Sequence, residues 1–337
     1  MPTLFTDQII KATQLQRLGR KTAFKLFRQI DIKLSNDDEL FDFIRENCEK
    51  YRLPKYSSAD WQKALDNFEH ICSANDKNGI KSISYFDKNY PELLKQIKDC
   101  PIILNFKGDI SNINNMPSVA IIGTREPTES GSKAAIRFGE IFSAADFNVI
   151  SGLAIGCDAG GHQGCLNKKG FTSAILAHGL DHIYPTENKK LADEILDKGG
   201  IIISEYHAGQ KPLANYFVER DRLQAGFSNG IIVVETDIKG GTMHTVKFAS
   251  ESNRRIAAYS HNKSELLSHP KTRGNQMLIK DGKAIALGTS DDINSYIELL
   301  KQDHLDRINK IDHNLDSIKN DECKNNDNDL QFSIKFP

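Results

Sequence analysis

The feature that most constrains the fold is a regular alternation, between residues 118 and 287, of short apolar runs and segments of helical length. The runs stand at 119–122, 149–150, 173–177, 201–203, 231–234 and 256–258. One intervening segment carries an apolar stripe at helical spacing, formed by Ala134, Phe138, Ile141, Phe142 and Ala145. Because helical crossovers join parallel strands with a right-handed sense, this pattern predicts an α/β fold with a doubly wound, mostly parallel sheet.

Two further zones flank this region. Apolar residues recur at helical spacing on both sides of Gly19, at Leu15, Leu18, Ala23 and Leu26, which predicts a helix–turn–helix hairpin. We therefore expect an N-terminal helical domain over 1–80 and the α/β domain over 81–300. Residues 301–337 are rich in Asn, Asp and Lys and carry few apolar side chains, so we expect a disordered tail there.

Composition excludes several classes of protein. No apolar run approaches the roughly 20 residues of a membrane helix, and the N-terminus lacks the pattern of a signal peptide, so we expect a cytoplasmic protein with no membrane partner. The six cysteines form no Cys-x-x-Cys pair, which predicts free thiols and no metal site. A net charge of −1 argues against a uniformly basic surface but permits a local basic pocket.

The loop after the first predicted strand, 123–131, is a candidate phosphate site. Ligands of doubly wound sheets bind beyond the carboxyl ends of strands, where Gly123 lets backbone amides approach an anion. Arg125 can add a bidentate phosphate contact. The spacing is not Gly-x-Gly-x-x-Gly, and no acidic residue closes the second strand, so we expect no NAD or other cofactor. The structural alternative is a tight turn beside a surface arginine.

The segment 151–162 follows the second predicted strand and opens a helix. Asp158 stands at the position expected for an N-cap. His162 lies four residues later, one helical turn on, where it can pair with Asp158. Such a pair suits acid–base chemistry, but no serine or cysteine nucleophile is clearly placed beside it. We therefore interpret Asp158 and His162 as structural or ligand-orienting residues.

An aromatic residue precedes two arginines at 217–222. Phe217 with Arg220 and Arg222 offers the combination that stacks a base and holds its phosphate. The alternative is an exposed helix start in which Asp221 pairs with its neighbours.

A Gly-Gly turn follows the strand that ends near Val234. The next helix begins with Thr242 and Thr245 on its first turns, so a second helix N-terminus suited to anions lies on the same edge of the sheet. Two such loops on one edge favour a phosphate-bearing ligand.

Taken in order, these segments resemble the DprA/Smf family of DNA-processing proteins from about Tyr85 to about Ala284. The resemblance rests on Tyr90-Pro91, Val119-Ala-Ile-Ile-Gly-Thr-Arg125, Ser151-Gly-Leu-Ala-Ile-Gly-Cys-Asp158 with His162, Gly179-Leu-Asp-His-Ile-Tyr-Pro185, Ile203-Ser-Glu205, Phe217 with Arg220-Asp-Arg222, Gly241-Thr-Met-His-Thr245 and Gly274-Asn-Gln-Met-Leu-Ile279.

The resemblance implies a fold and a function. It implies a small SAM-like or helix-hairpin-helix domain joined to an extended Rossmann-like domain, and a homodimer. It also implies a protein that is not an enzyme, that protects incoming single-stranded DNA by binding it, and that loads a RecA-type recombinase onto this DNA in natural transformation. By position, the DNA-binding residues would be Gly123, Thr124, Arg125, Phe217, Arg220 and Arg222, to which we add Gly241 and Thr242.

The chain departs from the family pattern at several positions. Asp221 stands where the family usually has asparagine, and Ala214 where it often has lysine, with Lys211 nearby. The usual Pro-Gly after the sixth strand is replaced by residues 259–261, and the tail does not resemble a winged helix. These changes predict weaker DNA binding or a different ligand.

The residues leave two alternative functions open. Phosphoribohydrolases carry Pro-Gly-Gly-x-Gly-Thr-x-x-Glu, and 239–245 offers only the Gly-Gly-Thr portion, without the leading proline and the glutamate. A nucleotide-sensing module is the third interpretation, and the altered pocket motivates it.

Overall fold

The computed structural model describes residues 4–29, 34–262, 264–267 and 269–330, with the backbone alone from 311 to 330. The N-terminal part is helical, and its helices are α1 (Leu4–Thr13), α2 (Arg20–Phe27), α3 (Asp37–Glu46) and α4 (Ser58–Asn78). They pack around a core that includes Ile9, Leu18, Leu26, Leu40 and Ile44 and that extends to Ile102 and Ile103 of the sheet-containing part that follows.

The predicted hairpin around Gly19 is present. Gly19 is the N-cap of α2, and the turn between α1 and α2 contains Leu15 and Leu18. Both leucines are buried, so the apolar spacing marks a packed turn as well as a helix face. The longest helix of this part, α4, starts with a capping box between Ser57 and Asp60 and ends at Gly79, whose φ of 64° is left-handed.

The remaining chain forms one sheet of nine strands covered by helices. The strands are β1 (Lys81–Ser84), β2 (Ile103–Lys107), β3 (Ser118–Ile122), β4 (Asn148–Ser151), β5 (Thr172–Leu176), β6 (Ile201–Ser204), β7 (Gly230–Val233), β8 (Arg255–Tyr259) and β9 (Ile285–Leu287). The helices between them are α5 (Glu92–Lys95), α6 (Glu129–Ala144), α7 (Cys157–Asn167), α8 (Lys189–Asp197), α9 (Ala214–Gly226), α10 (Thr242–Glu251), α11 (Ser264–Leu267) and α12 (Arg273–Lys280).

The strand order is β1-β2-β6-β5-β4-β3-β7-β8-β9. The seven neighbouring strands β6-β5-β4-β3-β7-β8-β9 pair in parallel. The strand β2 pairs antiparallel with both β1 and β6. The predicted fold class is therefore confirmed, and each of the six predicted apolar runs coincides with a strand to within one residue. The chain winds outward from β3 in one direction through β4 to β6, and then resumes on the other side of β3 with β7. The carboxyl ends of β3 and β7 thus form the switch point, where ligands of such sheets bind.

The last helix, α13 (Ser290–Leu330), crosses the predicted boundary at residue 300. Tyr296, Leu300 and His304 recur every four residues and are all buried, which explains why the helix stays packed beyond that boundary. Asp303 also holds Arg255, with Oδ2 at 2.8 Å from Nε. The end of the expected disordered tail, 331–337, lies outside the described residues.

Within the described part of the chain, no helix combines the length and the apolar character that a bilayer span requires.

Candidate functional site

A cleft of about 460 Å³ opens at the switch point of the sheet. We call it the carboxyl-edge cleft. Its walls are the loop after β3, the start of α7, one face of α9 and the start of α10. The residues that line it are Ile122, Gly123, Thr124, Arg125, Ala154, Asp158, Phe217, Val218, Arg220, Asp221, Gln224, Thr236, Asp237, Gly240, Gly241, Thr242, His244, Thr245 and Lys271.

The structure brings together most of the predicted binding residues. All of the predicted residues from the two glycine loops line this cleft, as do Phe217 and Arg220 from α9. Asp158 lies there too, while Arg222 and His162 lie elsewhere. Residues far apart in the sequence thus meet because the carboxyl ends of β3 and β7 are neighbours.

Arg125 covers the ring of Phe217. The guanidinium carbon lies 5.3 Å from the ring centroid, which is a cation–π contact. Arg125 is exposed, and no carboxylate of the described residues lies within ion-pair distance of it. The contact therefore fixes the direction of the side chain and leaves its hydrogen-bond donors for a ligand.

Backbone and buried contacts fix the loop that carries Arg125. The N–H of Thr124 donates to the carbonyl of Glu235 at 2.8 Å, and the N–H of Cys157 donates to the carbonyl of Thr124 at 3.2 Å. The carboxylate of Glu235, fully buried, accepts from Thr128 N at 2.8 Å and from Thr128 Oγ1 at 2.6 Å. Gly156, with φ of 86°, packs against the backbone of this loop so closely that a Cβ at this position would lie 2.5 Å from the carbonyl oxygen of Thr124. The loop is thus held before any ligand arrives.

Arg220 forms the floor of the cleft and is itself buried. Its Nη1 donates to the Ile175 carbonyl at 2.8 Å, and its Nε lies 3.3 Å from Asp221 Oδ1. Burial raises the pKa of Asp158, and the neighbouring charge of Arg220 opposes that rise. A Cβ at Gly152 would overlap the guanidinium group, so this packing requires glycine. Arg220 therefore supports the cleft and offsets one of the two neighbouring negative charges, so it leaves no net positive charge at the floor.

Asp221 gives the cleft a titratable acid. Burial raises its pKa to about 6; the charge of Arg220 lowers it, Asp158 raises it, and His244 and Arg125 lower it. The Gln224 amide, oriented so that both its ends are satisfied, donates to Asp221 Oδ1 at 3.2 Å. The negative charge of Asp221 is therefore progressively lost as the pH falls through about 6.

The expected contact between Asp158 and His162 is not formed. Asp158 accepts from Gly152 N at 3.0 Å, and the N-cap of α7 is Gly156. His162 Nδ1 bonds instead with Thr172 Oγ1 at 2.7 Å. Burial, with the charge of Arg220, lowers the pKa of His162 to about 3, so the ring is neutral near pH 7. The four-residue spacing of Asp158 and His162 predicted a contact between them, but the His162 side chain points toward β5 instead.

Arg222 lies on the opposite face of α9 from the cleft. Its Nη2 lies 2.5 Å from Glu205 Oε2, and its Nε lies 3.4 Å from Asp99 Oδ2. Arg20 of α2 binds both acids, with Nη1 at 3.2 Å from Glu205 Oε1. This cluster, which we call the junction cluster, joins the N-terminal helices to the sheet. The prediction that Arg222 contacts DNA therefore disagrees with its position, because Arg220 and Arg222 stand on different sides of the helix.

We expect Arg222→Ala to lower the free energy of unfolding by about 1–3 kcal/mol, because a mostly buried Glu205 loses a charge-assisted hydrogen bond. The affinity of the folded protein for a ligand of the carboxyl-edge cleft should stay within about twofold. Urea unfolding and a binding titration measure the two effects. Lys21→Ala is the matched control, since its exposed amine lies 3.8 Å from Asp99 and contributes little. A large loss of affinity with unchanged stability would contradict the assignment of Arg222 to the junction cluster.

Sequence reasoning missed Lys271, which lines the cleft from the turn before α12. Its Nζ lies 3.7 Å from Glu126 Oε2, beside the Arg125 loop. Lys211, considered as a substitute for the lysine that Ala214 replaces, does not line the cleft. No local pattern marks Lys271, because its position depends on how the chain returns after β8.

The charges that line the cleft nearly cancel. Arg125, Arg220 and Lys271 are opposed by Asp158, Asp221 and Asp237. A strongly attractive field is therefore absent from this cleft, in keeping with the expectation of weaker binding that the departures at 214 and 221 raise.

Comparison with known proteins gives a consistent result. Residues 81–298 match the sequence model of the family described as DNA recombination-mediator protein A. The chain is 34% identical over 223 residues to DNA processing protein DprA of Bacillus subtilis, covering 66% of this chain and 73% of that protein. It is 39% identical over 173 residues to Protein Smf of Synechocystis, covering 50% of this chain and 43% of that protein's length.

Two solved structures extend the comparison to three dimensions. DNA processing protein A from Streptococcus pneumoniae superposes with a TM-score of 0.68 at 26% identity, covering 88% of this chain and 98% of that one. DNA processing protein A from Helicobacter pylori, whose structure is described as showing its single-stranded DNA binding mode, superposes with a TM-score of 0.57 at 28% identity, covering 66% of this chain and 96% of that one. The chain therefore belongs to the DprA/Smf family, the DNA recombination-mediator protein A family.

Proposed function

We propose that this protein binds single-stranded DNA in the carboxyl-edge cleft, with little regard to sequence and without chemical turnover. The observation that carries the proposal is the Arg125 guanidinium held 5.3 Å from the centroid of the Phe217 ring at the switch point of the sheet. A relative of known structure, from Helicobacter pylori, is described as binding single-stranded DNA. An arginine beside an aromatic ring supplies a phosphate contact and a stacking surface together.

The start of α10 adds donors for a phosphate. Its N-cap is Gly241, which makes no side-chain capping bond, and its first turn carries no acidic residue. The N–H groups of Met243 and His244 donate to the carbonyls of Gly240 and Gly241, whereas that of Thr242, a residue that lines the cleft, has no backbone acceptor among the described residues. Every base has a π-face, so stacking on Phe217 tolerates any sequence, while Arg125 and Thr242 act on the backbone.

We further propose that the protein acts in the cytoplasm as a homodimer and loads a RecA-type recombinase onto the bound DNA in natural transformation. The family description as a recombination mediator supports this step. Recombinase filament assembly on DNA coated with single-strand-binding protein tests it. Filaments should form faster with this protein than without it, and equal rates would refute the loading role.

The nucleotide-hydrolysing alternative finds no support in the cleft. Asp158 and His162 point to different partners, and burial raises the pKa of the Cys157 thiol, which keeps it protonated. Free-base release from nucleoside monophosphates at high protein concentration would favour hydrolysis over DNA binding.

A titration of the protein into labelled oligonucleotides tests the proposed function. The design uses single-stranded and duplex DNA of one length, each at two salt concentrations. We expect tighter binding to the single strand, weakened by salt with a slope of about 0.7 per phosphate contact. Equal affinity for both forms would contradict a cleft that stacks exposed bases.

We expect the affinity for single-stranded DNA to rise as the pH falls through about 6, the pKa of Asp221. Protonation removes a negative charge beside the phosphate, which is worth roughly three- to tenfold in affinity. Asp221→Asn should bind with the higher affinity at neutral pH and should lose most of the dependence between about pH 5 and 7. Asp237→Asn, at an exposed acid of the same cleft, should keep that dependence. An unchanged pH profile in Asp221→Asn would assign the titration to another group.

A further inference from the structure

An exposed aromatic ring, that of Tyr184, stands next to the partly buried Phe217. Tyr184, in the loop after β5, is 44% exposed, although large aromatic side chains are usually buried. Its ring centroid lies 6.0 Å from that of Phe217, with the two planes tilted by 55°. Phe217 thus contacts both the Arg125 guanidinium and the Tyr184 ring.

A cavity of about 260 Å³ lies on the Tyr184 side of Phe217. We call it the side cavity. It shares Arg125, Ala154 and Phe217 with the carboxyl-edge cleft, so the two spaces adjoin along the Arg125–Phe217 pair. Ile155, itself 41% exposed, and Tyr184 give the side cavity apolar walls. An exposed apolar wall that continues a binding cleft marks a place for more of the same ligand.

The Tyr184 ring is held in place. His178 meets it edge-on, with centroids 6.5 Å apart, and is itself stacked on His182 at 4.5 Å. The loop that carries Tyr184 is tied to the loop after β4 by Asn188, whose Nδ2 donates to the Leu153 carbonyl at 2.8 Å. A ring that is fixed in advance stacks on a base with little loss of side-chain entropy.

The charge around the side cavity decides which part of a nucleotide enters it. Glu187 is exposed at its rim, and its carboxylate repels a phosphate. Arg125 is the cation that borders both spaces. The arrangement favours a base in each space and the linking phosphate at Arg125.

We propose that Tyr184 is the stacking residue of a second nucleotide subsite, which takes the base next to the one on Phe217. This proposal rests on the proposed function and extends it: the recognised unit is a dinucleotide segment of single-stranded DNA, with its phosphate on Arg125 between two stacked bases. The two tilted rings turn the strand at this point and keep its bases unstacked from each other.

The test compares affinities for an ordinary oligonucleotide and for an abasic oligonucleotide of the same length. Tyr184→Ala should weaken binding to the ordinary strand by about 5- to 100-fold, the usual range for loss of one base–aromatic stack. It should leave binding to the abasic strand unchanged, because no base is there to stack. Tyr184→Phe, which keeps the ring, should bind like the wild type, and the salt dependence should not change.

Three outcomes separate the proposals. If Phe217→Ala and Arg125→Ala weaken binding but Tyr184→Ala does not, the second subsite is refuted and the proposed function stands. If none of these variants weakens binding, the proposed function fails as well. If Tyr184→Ala weakens binding to the ordinary and abasic strands equally, Tyr184 acts on the protein's structure, and the subsite is again refuted.

Discussion

Replacing Arg125 with alanine should lower the affinity for single-stranded DNA by about 10- to 100-fold. The variant loses a charge-assisted bond to phosphate, which contributes about 1.5–3 kcal/mol. The free energy of unfolding should fall by no more than about 1 kcal/mol, because the Arg125 side chain is exposed, has no ion pair among the described residues and loses only its cation–π contact with Phe217. Binding measured by fluorescence anisotropy at several salt concentrations checks the first part, and urea unfolding checks the second.

The salt dependence distinguishes a phosphate contact from a general charge effect. Loss of one contact should flatten the slope of log affinity against log salt by about 0.7 to 1. Arg137→Ala is the control, since its exposed side chain pairs with Glu140 on α6 outside the cleft. Equal slopes for Arg125→Ala and the wild type would show that Arg125 does not hold a phosphate.

Replacing Arg220 with alanine should lower the free energy of unfolding by about 3–5 kcal/mol at neutral pH. Arg220 is buried between Asp158 and Asp221, so its removal leaves both acids buried without a compensating charge. It also deprives the Ile175 carbonyl of a donor at 2.8 Å. The DNA affinity falls as a consequence, because α9 and Phe217 lose their support.

The pH dependence of this loss has a definite sign. Without Arg220, the pKa of each acid in the folded state rises further above its unfolded value near 3.8, so ionisation costs more in the folded state. Stability of the variant therefore falls as the pH rises from about 4 through the folded pKa values. Urea unfolding at about pH 5 and pH 8 should show a smaller loss at the lower pH. Adding Asp158→Asn to Arg220→Ala should restore part of the stability at pH 8, and equal losses at both pH values would contradict the buried-charge explanation.

Periodicity predicted the frame of this fold because the central strands are apolar and regularly spaced. The runs that became β3 to β8 are buried on both faces, and each is followed by a segment long enough for a crossover helix. The strands β1 and β9 have no such signal, since β1 reads Lys-Ser-Ile-Ser and β9 has only three residues. The packed part of α13 was missed because its apolar stripe is sparse, and the high content of Asn, Asp and Lys beyond it dominated the interpretation.

The sequence predicted the site residues that follow the carboxyl ends of strands. It did not predict those whose place in the site depends on the direction in which a side chain points. Gly123, Arg125 and Gly241 follow parallel strands that are neighbours, so the edge of the sheet brings them together. Arg220 and Arg222 are two residues apart, and residues at that spacing do not share a helix face, so only one of them can face the cleft; the sequence did not show which one. Lys271 arrives through long-range packing that no short motif encodes.

The most direct test of the central claim is photocrosslinking of a single-stranded oligonucleotide that carries 5-iodouracil, followed by mapping of the crosslinked peptide. This base reacts with aromatic side chains that lie against it. Binding in the carboxyl-edge cleft predicts a crosslink at Phe217 on α9, reduced by unlabelled single strand and lost in Arg125→Ala at limiting protein. Crosslinks confined to the N-terminal helices α1 to α4, with none on α9, would contradict it.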